Sequence, residues 1–271
     1  MRVVVAEAAS RLSAWALAAI LVSTPNGLLA IEPPSAEAQA TLRRGFKASA
    51  EGSAATAEAL LTESIGVWER TAQPPDELAA IYKQRGIVRQ QQNKLADAAS
   101  DLTAALRLVQ EPGAKPDPAE IQRTFVLRAR VNEALNYWAA AEADLSAAIE
   151  RLDDLDAIEA TNPYLFSERA GARSRLADYG GAADDALRAE ADFKAIGDKV
   201  RRLLSTADSA LALYGAGDVT AALDKMRFVF KNKGMPASVR RSDGARSPAT
   251  SLCPAVLRCA LWPRHAHSTT P

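Results

Sequence analysis

The sequence predicts an all-α protein, a right-handed α-solenoid built from about five helix pairs. Three observations predict it. Five segments repeat one pattern of small residues at near-constant spacing, each has an upstream partner with the same period, and the connections between them carry the Pro, Gly, Asn and Asp of helix ends.

The five segments are AATAEALLTESI from Ala54, LADAASDLTAAL from Leu95, WAAAEADLSAAI from Trp138, YGGAADDALRAE from Tyr179 and VTAALDKMRFVF from Val219, with starts 41, 43, 41 and 40 residues apart. Their fourth residue is always alanine: Ala57, Ala98, Ala141, Ala182 and Ala222. Their seventh is aspartate in the three central copies, at Asp101, Asp144 and Asp185, and Leu60 or Lys225 in the outer two. Twelve residues before each alanine stands Gly45, Gly86, Ala129, Ala170 or Ala210, preceded by Arg44, Arg85, Arg128, Arg169 or Ser209. Tyr82, Phe125 and Phe166 lie four residues before that small residue in the central copies.

Each copy therefore reads as a helix A and a helix B. Two helices approach closely only where the facing residues are small, and larger residues fill the space around that contact. One pair cannot bury both of its faces, so neighbours stack into a continuous core. The A–B turns fall at Asn93, Asn136, Asp178 and 215–219. The breaks 72–77, 110–120 and 159–165 are rich in proline, with Asp76, Asp117 and Asn162 as expected N-caps. The recurring Arg and Asp should pair with each other, within a pair or with its neighbour, and orient helices rather than bind ligand.

The two ends have a different character. Residues 1–30 carry a modestly basic front and an apolar stretch from Ala14 to Val22, too short to span a bilayer, since spanning takes about 20 apolar residues. That layout predicts a targeting segment cleaved near Ala30; an N-terminal helix packed on the array and a signal anchor are the alternatives. Residues 31–40 read as a linker, 41–236 as the array and 237–271 as a largely unstructured tail. The tail holds five Arg and one Asp, no Lys and no Glu, and both cysteines and both histidines of the chain. The last B helix should leave Met226, Val229 and Phe230 without a following helix, so the chain there is either a shortened gene model or meets a partner on that face.

The repeated pattern resembles the tetratricopeptide repeat (TPR): an aromatic, then Gly or Ala, a turn, then Ala, a large residue, Ala and a closing Pro. The matching residues are Tyr82, Gly86, Ala98, Leu102, Ala105 and Pro112 in the second copy, and Phe125, Ala129, Ala141, Leu145 and Ala148 in the third. Phe166, Ala170, Ala182 and Ala189 follow in the fourth; Gly217, Asp218, Ala222, Met226 and Pro236 in the fifth; Gly45, Ala57 and Leu61 in the first. The resemblance spans Thr41 to Pro236. The stretch from Asn162 to Val219 is also similar to TPR proteins of plant and algal chloroplasts, lumenal ones among them, which implies a chloroplast location that includes the thylakoid lumen; the secretory pathway and the cytoplasm are the alternatives.

Chemistry is hard to find in the body of the chain. His265 and His267 stand in the tail, so no Ser-His or Cys-His pair is available in the repeats, and no G-x-x-x-x-G-K-[ST] phosphate loop occurs. Cys253, Cys259, His265 and His267 are spaced unlike any common zinc site. No enzyme activity, metal or cofactor is expected. The 33 acids and 33 bases cancel, which argues against nucleic acid, and membrane contact is expected only through residues 12–30 if they are uncleaved.

What the resemblance implies is a scaffold that takes a peptide or helix in the concave groove lined by the A helices, in assembly or maintenance of a larger complex, a photosynthetic one if the chloroplast resemblance holds; the alternative is a regulatory or accessory subunit of an enzyme complex. By repeat phase the groove candidates are Lys83, Gln84, Ile87, Gln90 and Gln91; Arg123, Leu127, Arg130 and Glu133; Tyr164, Glu168 and Arg175; and Asp208, Leu211 and Tyr214. The family's two-carboxylate clamp for chaperone tails needs Lys and Asn where Leu42, Phe46 and Ile87 stand, so an adaptor role of that kind is disfavoured.

Overall fold

The computed structural model describes residues 34–71, 74–154 and 163–231. The described residues form ten α-helices: α1 (Ala36–Ala50), α2 (Ala54–Trp68), α3 (Pro75–Gln91), α4 (Leu95–Leu108), α5 (Pro118–Ala134), α6 (Trp138–Glu150), α7 (Pro163–Arg175), α8 (Tyr179–Ala195), α9 (Lys199–Gly215) and α10 (Val219–Lys231). Odd-numbered helices are the A helices and even-numbered ones the B helices of five pairs. Each packs on the next along the chain, giving an all-α solenoid. The targeting segment 1–30, the tail 237–271 and the expected cap Asn162 lie outside the described residues. No described helix is long and apolar enough to cross a membrane.

Alanine sets the core. Ala57, Ala98, Ala141 and Ala182 are fully buried and Ala222 nearly so. The small residue on helix A sits mainly against a leucine four residues further along helix B: a Cβ on Gly86 would lie 3.1 Å from Leu102 Cγ and 3.3 Å from the Ala98 carbonyl oxygen. The alanine thus opens the space and the leucine fills it. Leu61, Leu102, Leu145, Ala186 and Met226 occupy that buried position in turn.

Each A–B turn places one residue in left-handed backbone: Gly52, Asn93, Asn136, Ala177 and Gly217, with φ between 60° and 92°. The same device recurs at Gly197, which joins α8 to α9. Glycine and asparagine adopt this conformation readily; alanine does so at a cost.

Two boundaries differ from expectation. Helix α1 begins at Ala36 rather than Thr41, because the Ser35 hydroxyl accepts the Ala38 N–H at 3.2 Å, so 36–40 is helix and not linker. Asp76 does not cap α3: that helix starts one residue earlier at Pro75, whose ring suits a first helical position, and Asp76 lies inside the first turn. Asp117 does cap α5, accepting the Ala119 N–H at 3.0 Å.

Candidate functional site

The Arg–Asp rows pair within each central A–B unit. Arg85 donates to both carboxylate oxygens of Asp101 at 2.9 and 2.7 Å, Arg128 to Asp144 at 3.0 and 2.6 Å, and Arg169 to Asp185 at 2.8 and 2.8 Å. The third nitrogen of each guanidinium reaches back to the preceding B helix. It donates to Thr62, Thr103 or Ser146, each at 3.1 Å. One side chain thus joins three helices. Burial works against the charge on Arg85, yet the bonds to Asp101 hold it above its ordinary pKa; at Arg169 the Asp185 bond dominates with the same result. The rows pair with each other, as expected, and join helices within and between the pairs.

A second set stands one turn further along the A helices, and it was not singled out in the sequence. Arg89 bridges Asp101 and Glu58, each at 3.0 Å. Arg173 bridges Asp185 at 3.0 Å and Glu142 at 3.1 Å. In the pair between them the preceding B helix has Ala99 where the others have glutamate, and the A helix carries Asn132, which donates to Asp144 at 3.0 Å. Lys94 and Gln92 also donate to Glu58, and the Lys94 bond, then Arg89 and Gln92, bring its carboxyl down to about 2 against the cost of burial. The sequence signal was available: arginine appears on helix A only where glutamate precedes it on helix B.

The A helices are stitched to one another by the groove candidates themselves. Gln84 on α3 donates to Ser49 on α1 at 2.7 Å. Lys83 on α3 pairs with Glu120 on α5. Arg130 on α5 pairs with Glu168 on α7 at 2.7 Å. Tyr164 on α7 lies under Arg201 of α9, 4.3 Å from ring centroid to guanidinium carbon, and packs edge-on against Phe193. All four A–A junctions are covered, and α3–α5 and α7–α9 are in direct contact. The predicted residues are thus brought into one row, but much of that row is occupied in joining the pairs. Burial, then the nearby Arg123, push the Lys83 ammonium down to about 8, and Asp117 opposes them.

Other candidates go elsewhere. Arg175 stacks over Trp138 of α6 at 5.3 Å, so it reaches a B helix. Leu127 packs with the Ala98, Leu102 and Val131 cluster. Ile87, Gln90, Glu133, Asp208 and Leu211 are half-buried. Arg123 remains exposed on α5, held by Glu120 and the Ala119 carbonyl. Gln91 and Tyr214 are exposed at the C-terminal ends of α3 and α9. Among the described residues no group of three His, Cys, Asp or Glu is placed to hold a metal ion; Cys253, Cys259, His265 and His267 lie outside them.

Comparison with solved structures agrees with this arrangement of helix pairs. A tetratricopeptide repeat protein from Parabacteroides merdae superposes with a TM-score of 0.55 at 15% identity, covering 77% of this chain and 69% of that one. The fold is a tetratricopeptide-repeat fold. YrrB, a TPR protein with an unusual peptide-binding site, gives 0.55 at 11% identity over 74% of this chain and 90% of its own. BtubC from P. vanneervenii gives 0.56 at 16% identity over 87% and 96%. No family model matches the sequence, and no curated protein matches it.

Proposed function

We propose that the protein is a non-catalytic interaction scaffold that holds an extended peptide or a helix of a partner protein along its A-helix row. The observation that carries this reading is the row itself. The four A–A junctions are made by Gln84 and Lys83 on α3, Arg130 on α5 and Tyr164 on α7, while Gln91, Arg123 and Tyr214 stay accessible beside them. The accessible Gln91, Arg123 and Tyr214 offer an amide, a cation and an aromatic ring spread over three A helices, which suits a polypeptide better than a compact small molecule. The peptide-binding site of YrrB, on a similar solenoid, supports the same use of the fold.

The test is site-specific photo-crosslinking. A crosslinker at Gln91 or Tyr214 is expected to capture one partner protein in the organism's own extract, and a crosslinker at Asp97 or Asp184 on B helices is not. Capture from the B-helix positions alone overturns the groove assignment. Arg130 is a poor site for such a test, because its reversal also breaks the bridge to Glu168. The finer reading is a chloroplast scaffold serving assembly of a photosynthetic complex. It rests on the resemblance of 162–219 and on the apolar stretch Ala14–Val22; a reporter fused after residue 40 that stays out of the chloroplast would remove it.

A further inference from the structure

We propose that α10 is a docking surface for an acidic amphipathic helix of a partner protein, separate from the A-helix row. The argument comes from the way the B helices α2, α4 and α6 meet the A helix after them. On α2 the stripe Ala54, Glu58, Thr62, Ile65 faces α3 in antiparallel register. Gln92 donates to the Ala54 carbonyl, Arg89 to Glu58 and Arg85 to Thr62, and Ile65 shares one core cluster with Ile81. The stripe Trp138, Glu142, Ser146, Ile149 on α6 meets Arg175, Arg173, Arg169 and the Leu165–Phe166 cluster in the same order. On α4, Thr103 receives Arg128 and Leu106 packs in one cluster with Phe125.

The same four positions on α10 are Val219, Leu223, Arg227 and Phe230. Ile65 is 4% and Leu106 3% exposed at the last of them, whereas Phe230 is 42% exposed. Met226 is buried, because it faces helix α9 of its own pair rather than the next one. So α10 keeps the geometry of a B helix and presents apolar residues on the stripe that elsewhere receives an A helix.

Charge selects the occupant. Where α2, α4 and α6 offer a neutral hydroxyl to an arginine, α10 carries Arg227, which is half exposed and pairs with Asp224 of its own helix at 2.8 Å. A second copy stacking its α1 on this face would bring Arg44 to that register position, cation against cation. The chain beyond α10 offers no good complement either: residues 237–271 hold five Arg and a single Asp. An incoming antiparallel helix with a carboxylate opposite Arg227 and apolar residues opposite Phe230, Leu223 and Val219 satisfies all four positions.

The probe is a fluorescent peptide of residues 118–134, stapled on its solvent face so that it is helical, with Arg128→Glu placing a carboxylate at the required position. Binding to the full chain is followed by anisotropy. The acidic peptide is expected to bind at least roughly fivefold more tightly than the native-sequence peptide. Phe230→Ser should abolish binding with the helical circular dichroism unchanged, and Arg227→Glu should reverse the preference between the two peptides. Equal affinity of the two peptides, or binding indifferent to Phe230→Ser, overturns the proposal. So does tight binding that appears only after residues 237–271 are deleted, which would make the tail the occupant. Concentration-dependent self-association lost with Phe230→Ser would make it a second copy. None of these outcomes depends on the A-helix row.

Discussion

Arg85 donates two hydrogen bonds to Asp101, sixteen residues on in the neighbouring helix, while Arg89 donates a third to the same carboxylate. Asp101 is 3% exposed and so answers two guanidinium groups almost out of water. Removing one partner of a buried pair strands the other charge. Asp101→Ala should cost about 3–5 kcal/mol. Asp144→Ala should cost less, because Asp144 holds one arginine and the neutral Asn132. Urea unfolding midpoints of the two variants check the order; equal losses would mean that the second arginine adds nothing.

Ala177 sits in left-handed backbone at φ 61°, where the equivalent turns use glycine or asparagine. Its Cβ pays a steric cost there of about 1–2 kcal/mol. Ala177→Gly relieves it but frees the unfolded chain, which returns part of that sum. The expected result is a net gain of about 1 kcal/mol or less, read as a higher thermal midpoint. A lower midpoint would show that the methyl group packs productively.

Glu58 should make part of the structure sensitive to acid. Its folded pKa of about 2 lies below its ordinary value of 4.5, chiefly through Lys94. The unfolded state therefore binds more protons between these values, and stability falls as pH falls. The contribution is complete above pH 4.5 and is lost as pH drops towards about 2. Glu58→Gln should flatten this limb: the stability difference between wild type and variant, measured by urea titration, shrinks steadily from pH 5 to pH 2.5. A constant difference would dismiss the pairing as its cause.

The alternation of arginine and asparagine invites transplantation. Ala99→Glu with Asn132→Arg should rebuild, between the second and third pairs, the bridge seen at Glu58–Arg89 and Glu142–Arg173. A double-mutant cycle is expected to return a favourable coupling of about 0.5–1 kcal/mol. Zero coupling would mean that the A–B spacing at this junction differs from its neighbours.

By itself the sequence determined the helix pairs, their number and their period, because these follow from short-range steric needs. A small residue must stand where two helices touch, a left-handed turn must reverse the chain, and a proline suits a first turn, so Gly86, Asn93 and Pro118 announce their surroundings. It also made the Arg–Asp pairs legible, since residues at constant offset in every repeat meet in the same way. What only the tertiary structure decided was how the A-helix residues are spent. Lys83, Gln84, Arg130 and Tyr164 read as free groove groups, but stacking brings them beside Glu120, Ser49, Glu168 and Arg201. Those partners lie one repeat away, and the distance between them depends on how successive pairs rotate against each other. That rotation is summed over every buried contact between helices, and no single residue spells it out. The fates of Met226 and Phe230 divide on the same ground: four residues apart on one helix, one faces its own pair and is buried, the other faces outward and remains open.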